Sequence, residues 1–177
     1  MPPSVPTRPN PTPPSKPAAA AFAQRLTWAE LDPAYLRQLI TLAREEDLAG
    51  AGLARAVTPG DVTTSALVGE APARADFTAR VPLTVCGLPL LPLIFESFGS
   101  NCSVTTAPGL HDGQIVAKGT VLATVTGPAA TLLKAERTAL NFFQKLTGVA
   151  TQTTRYVAAL GASNTRLLDT RKTTPGF

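Results

Sequence analysis

Cysteine is nearly absent from this chain: Cys86 and Cys102 are the only two in 177 residues, set in apolar surroundings with neither a CxxC nor a metal-ligand spacing. Two cysteines cannot staple a domain of this size, so both are expected as reduced, mostly buried thiols. Long apolar runs are missing too. The longest, Leu88 to Phe95, has eight residues and contains two prolines, against the roughly 20 needed to cross a bilayer, so no membrane partner is expected. No short apolar core follows a basic start at the N-terminus, which argues against a secretory signal and makes the cytoplasm the expected location. Histidine is limited to His111, beside Asp112-Gly113 and without a candidate partner, and is expected as a surface turn residue.

What the chain has in excess is proline at one end and positive charge at the other. Eight of its 17 prolines fall in the first 17 residues, a stretch with almost nothing large and apolar to bury, so residues 1–20 are expected as a disordered tail. Residues 1–96 carry eight basic and nine acidic side chains, whereas residues 97–177 carry eight basic and three acidic, a net +5. The basic half calls for an anion. Its cations form no run and have no interleaved aromatic platforms, which removes nucleic acid and leaves a small, highly charged metabolite.

Asp32 is a good N-cap and Pro33 suits a first helical position, and Leu36, Leu39, Ile40 and Ala43 follow at helical spacing. Glu45, Glu46 and Asp47 close that helix where the dipole disfavours anions, a hint that they serve some other purpose. Residues 49–60 read as a loop leading into Asp61, Val62, Thr63 and Thr64. Strict alternation of Ala73, Ala75, Phe77, Ala79 and Val81 with polar neighbours marks a half-buried strand. A short helix over 90–98, a strand near 103–107 and a strand over 120–126 follow, the last two separated by the turn pairs Asp112-Gly113 and Lys118-Gly119. Past Pro128 a long helix is expected to about Leu146, with Leu132, Leu133, Leu140, Phe143 and Leu146 on its core face, interrupted at Gly148 and resumed over 149–160. A strand over 166–169 then delivers a polar loop. Helix, strand and polar loop in that order is how α/β barrels and doubly wound sheets begin, and where they place active sites.

Two groups of residues could carry chemistry. Arg137, Asn141, Gln144 and Lys145 share one side of the long helix as a basic stripe. Glu136 falls within the expected core arc and would need a partner if buried. Thr170, Arg171 and Lys172, with Thr173 and Thr174, make a compact anion site: a guanidinium fork, a point charge and hydroxyl donors.

The residues Gly127-Pro128-Ala129, the stretch from Lys134 through Glu136-Arg137, Asn141, Gln144 and Gly148 to Thr151, and Asp169-Thr170-Arg171-Lys172-Thr173-Thr174-Pro175-Gly176 resemble the quinolinate phosphoribosyltransferase family. Upstream, Glu46-Asp47-Leu48 and Gly60-Asp61-Val62-Thr63-Thr64 resemble that family's start. The resemblance implies a pentosyltransferase of NAD biosynthesis that joins quinolinate to phosphoribosyl pyrophosphate, releases pyrophosphate and CO2, leaves nicotinate mononucleotide and uses Mg2+. It implies substrate binding by Arg137, Thr170, Arg171 and Lys172, with Lys172 as the catalytic residue, and a homodimer or higher homo-oligomer in which Arg137 enters the partner's site. The fold class implied is an α+β N-terminal domain, an open antiparallel sheet with helices over 21–128. Residues 129–177 then supply connecting helices and the first strand of a truncated α/β barrel.

The chain departs from the family in two ways. The link from Asp47 to Gly60 is longer than usual. The family's further histidine, arginine, lysine and magnesium-facing acidic residues are not present, so no metal ligand is assigned here and the chain is expected to be a fragment or the product of a broken reading frame. Two other readings compete. Asp112-Gly113 with Val116, Gly119, Leu122 and Val125 is similar to the hairpin of biotinyl and lipoyl carrier domains, though the Met-Lys-Met or Asp-Lys-Ala setting of the modified lysine does not occur. A relative of the same fold linked to molybdenum transport is the other, and Thr173 and Thr174 after Arg171-Lys172 favour the quinolinate enzyme over it.

Overall fold

A computed structural model describes residues 26–53, 60–162 and 164–170. The chain divides into two units, 1–31 and 32–177. The tail expected over 1–20 lies outside the described residues. In the first unit, residues 28–30 form one 3-10 turn, and the Glu30 carboxylate accepts from the Thr27 N–H at 2.7 Å and from its hydroxyl at 2.8 Å. Thr27-x-x-Glu30 is a capping-box pattern.

In the second unit, helix α1 (Pro33–Ala49) opens as expected: the Asp32 carboxylate accepts from the Ala34 N–H at 2.9 Å and Pro33 occupies the first turn. It stops at Gly50, whose left-handed φ of 65° is open to glycine at little cost. Ile40 is buried, and Leu36, Leu39 and Ala43 pack around the core. Helix α2 (Val62–Leu67) comes next in the chain, and α1 is tied to α3 (Leu90–Phe98) by the Arg37–Glu96 ion pair at 2.9 Å and by the Arg44 guanidinium, which donates to the Ser97 carbonyl. Helix α2 was not expected. Asp61 caps it, accepting from the Thr64 N–H at 2.9 Å and from the Thr64 hydroxyl, so a segment expected as the end of a loop gains a turn of helix.

Strands β1 (Pro72–Thr78), β3 (Ser103–Thr106) and β5 (Val121–Pro128) form an antiparallel sheet in the order β1-β5-β3. Phe77 faces Ala123, and a bulge then shifts the register so that Thr78 faces Val121. The expected alternation holds at Ala73, Phe77 and Ala79. It fails at Ala75 and Val81, which are exposed; both line an open groove beside β1, Ala75 within the regular ladder and Val81 beyond the bulge and the end of the strand. A second ladder joins β2 (Leu83–Thr84), unforeseen because it is two residues long, to β4 (Ile115–Val116). The hairpin pattern similar to carrier domains thus builds β4 and β5 of this fold. Between the sheet and the helices, Phe77 meets Phe95 and Phe143 edge-on, with centroids 6.3 and 6.0 Å apart.

Helix α4 (Ala129–Leu160) runs unbroken for 32 residues, so the interruption expected at Gly148 does not occur. A glycine in a helix interior costs about 1 kcal/mol relative to alanine, and tertiary contacts on both sides of it offset that. The Thr147 hydroxyl donates to the Cys86 carbonyl at 3.2 Å, the Thr84 N–H donates to Thr151 Oγ1 at 2.9 Å, and the Thr84 hydroxyl donates to Thr154 Oγ1. The core face is also rotated from expectation. Leu132, Ala135, Ala139, Phe142 and Phe143 are buried, whereas Leu133 is 46% exposed and Glu136 is exposed. Two alanines on the buried arc let α4 approach its neighbours closely, so the larger leucines did not mark the centre of the face.

The strand expected over 166–169 is irregular and exposed, and pairs with no strand among the described residues. Strand geometry needs a hydrogen-bonded neighbour, and none lies beside it there. Both cysteines are free and half-buried. Burial pushes the Cys86 thiol up, with the Asp112 charge adding to it, and burial alone raises Cys102. His111 is an exposed turn residue with Nδ1 3.0 Å from the Asp112 carbonyl oxygen. Asp112 does more than turn the chain: its carboxylate accepts from the N–H groups of Gly87 and Leu88 at 2.8 and 3.1 Å.

Candidate functional site

The end of α1, the start of α2 and one face of α4 enclose an open hollow of about 540 Å3. Asp47 and Leu48 line it from α1, Gly60, Asp61 and Val62 from the entry to α2, and Lys134, Arg137, Asn141 and Gln144 from α4. Three members of the expected basic stripe therefore face one space; Lys145 does not line it. The backbone that frames the hollow is fixed locally, because the Gly60 N–H donates to the Leu48 carbonyl and Asp61 caps the next helix.

Arg137 is the centre of the arrangement. One terminal nitrogen, Nη1, lies 2.7 Å from Asp47 Oδ1, and the side chains are 74% and 18% exposed respectively. A mostly exposed guanidinium is thus held by a mostly covered carboxylate. Nearby, the Thr64 hydroxyl and then the Thr64 N–H hold the Asp61 carboxyl below its usual range, with the Lys134 charge adding to the effect. Asp47, Asp61 and Glu136 offset Lys134 and Arg137, so the hollow is not the strongly basic basin suggested by the charge of residues 97–177.

Of the residues expected in the site, Arg137 stands at the hollow and Thr170 is exposed on an irregular segment. Arg171 and Lys172 lie outside the described residues. Asp47 was missed as a partner, although its position against the helix dipole was a signal. Asp61 stands out in the sequence only through the family resemblance, although Thr64 three residues on marks it as a cap. A magnesium site does not fit the described residues: Asp47 is taken by Arg137, Asp61 by Thr64, and no group of three or more His, Cys, Asp or Glu side chains gathers among them.

Residues 61–147 match the family described as quinolinate phosphoribosyl transferase, N-terminal domain. The chain carries the N-terminal domain of the quinolinate phosphoribosyl transferase family. The matched segment contains Asp61, Arg137, Asn141 and Gln144 of the hollow. A probable nicotinate-nucleotide pyrophosphorylase (carboxylating) of Synechocystis is 38% identical over 125 residues, covering 71% of this chain and 42% of that protein. Its counterpart in Bacillus subtilis is 37% identical over 118 residues, covering 67% and 40%. The solved nicotinate-nucleotide pyrophosphorylase of Francisella tularensis superposes with a TM-score of 0.73 at 30% identity, over 84% of this chain and 49% of that one. The chain therefore spans less than half the length of these relatives. Among the described residues no helix is long and apolar enough to cross a membrane.

Proposed function

We propose that this domain serves a quinolinate phosphoribosyltransferase of NAD biosynthesis. Quinolinate and phosphoribosyl pyrophosphate combine: the pyridine nitrogen bonds to the ribose anomeric carbon, the bond from that carbon to pyrophosphate breaks, and the carboxyl next to the nitrogen leaves as CO2 with a proton taking its place. Both substrates are multiply anionic, and a cationic ribosyl centre is reached by positioning and charge complementarity. Arg137 binds substrate in the site of a partner subunit of a homodimer, Thr170, Arg171 and Lys172 bind it from the loop beyond α4, and Lys172 is the catalytic residue. Mg2+ binds through groups outside the described residues, and the remaining active-site groups come from the part of the relatives' length that this chain does not span. The reaction is placed in the cytoplasm. The same residues could serve a molybdenum-linked relative, but the names of the similar proteins favour the quinolinate enzyme.

The observation that carries this reading is the exposed guanidinium of Arg137 at a hollow lined mostly by the family's matched segment, with Asp47, Leu48 and Gly60 added from just before it. Full-length protein incubated with phosphoribosyl pyrophosphate and either quinolinate or nicotinate tests it. Formation of nicotinate mononucleotide with equimolar CO2 from quinolinate, and little product from nicotinate, is expected. Equal use of nicotinate, or no product from quinolinate, contradicts it. The 177-residue chain alone is expected to show no turnover in the same assay.

A further inference from the structure

Asp47 and Arg137 are ninety positions apart in sequence, yet their side chains meet at 2.7 Å across the junction of α1 and α4. The contact is unequal. Asp47 keeps 18% of its side-chain surface while Arg137 keeps 74%, so the carboxylate is the fixed member and the guanidinium is the exposed one. An ion pair with one partner this exposed contributes little to stability. A carboxylate in the last turn of α1 also works against the helix dipole, a cost that Arg137 offsets.

What the pair does achieve is order. A free arginine side chain samples many rotamers, and fixing it in advance removes that entropy from a later binding step. The contact uses one terminal nitrogen, and Arg137 makes no other side-chain hydrogen bond or ion pair among the described residues. Its other donors remain for an anion, in the fork geometry that suits carboxylate or phosphate. The anchor itself is rigid, since the Gly60 N–H ties the carbonyl of the next residue, Leu48, and Arg44 and Arg37 tie α1 to α3.

We infer that Asp47 is the positioning residue for Arg137, holding the guanidinium ready for the carboxylate or phosphate of an anionic substrate. The inference deepens the function proposed above and rests on it. Asp47 does not touch substrate; it acts through Arg137. Asparagine keeps the shape and an acceptor but loses the charge-assisted bond, whereas glutamate keeps the charge and displaces it by one methylene.

Full-length Asp47→Asn, Arg137→Ala and the double variant, compared with wild type by steady-state kinetics, test the inference. Asp47→Asn is expected to raise KM for the substrate bound by Arg137 by about tenfold with a smaller change in kcat. In the Arg137→Ala background the same substitution is expected to add less than about twofold, because the group it acts through is gone. Unchanged KM in folded Asp47→Asn, or effects that multiply in the double variant, overturns the inference. NMR of the Arg137 Nε–Hε group in the same full-length proteins supplies a second measurement that needs no turnover: an ordered group in wild type that becomes mobile in Asp47→Asn is expected, and equal order in both overturns the inference. Wild type inactive on quinolinate would instead refute the proposed function, leaving the NMR comparison to decide the role of Asp47.

Discussion

Asp61 shows how one side chain can set local structure and respond to pH. Its carboxylate accepts from both the hydroxyl and the N–H of Thr64, and with Lys134 nearby its pKa lies below the ordinary value. The native state then binds fewer protons than the unfolded chain between the two values, so stability rises with pH across that interval. The contribution is whole above the ordinary value of about 4 and is lost as pH falls through the lowered one. Asp61→Asn, which keeps a capping oxygen, is expected to cost more stability at pH 7 than at pH 3 in urea unfolding; a constant difference would contradict this. Gly127 answers to space alone. A Cβ there would lie 2.6 Å from Cys102 Sγ and 3.0 Å from the Asn101 carbonyl oxygen, so Gly127→Ala is expected to cost about 1–3 kcal/mol. Cys102→Ala in the same protein should recover part of that loss, because the backbone clash stays.

At the scale of elements, what was legible in the sequence was local. The Asp32-Pro33 opening of α1, Phe77 on the inner face of β1 and the apolar helix over 90–98 each depend on neighbours within a few residues. Helix α2 was missed because six residues give no periodicity, and β2 because its two-residue ladder depends on β4. The face of α4 was misjudged because Ala135 and Ala139, rather than Leu133, sit at its centre. Gly148 was misjudged because the groups that hold the helix through it, Thr84 and the Cys86 carbonyl, come from elsewhere in the chain. Arg137 was legible as part of a stripe and by resemblance, but Asp47 only as a misplaced anion, since their contact spans ninety residues. A Cβ on Gly148 meets nothing within 4 Å, so Gly148→Ala is expected to stabilise the protein by about 1 kcal/mol. Loss of stability in thermal unfolding would contradict a continuous helix there.

For the whole molecule, the consequence lies in what one domain offers another. Arg137 is exposed at the hollow on α4, and the chain spans 42% of the Synechocystis relative's length. A domain that presents one arginine from a rigid helix suits a site completed by other groups, and under the proposed function those groups include Arg171 of a second subunit. The most direct measurement mixes two full-length variants, Arg137→Ala and Arg171→Ala, after each has been shown to have weakened turnover alone. A mixed dimer assembles one site with both arginines intact, so quinolinate-dependent formation of nicotinate mononucleotide is expected to recover toward a quarter of the wild-type rate, an order-of-magnitude figure of about one intact site in four for random subunit exchange. No recovery in mixtures shown to exchange subunits would contradict the presentation of Arg137 across the interface.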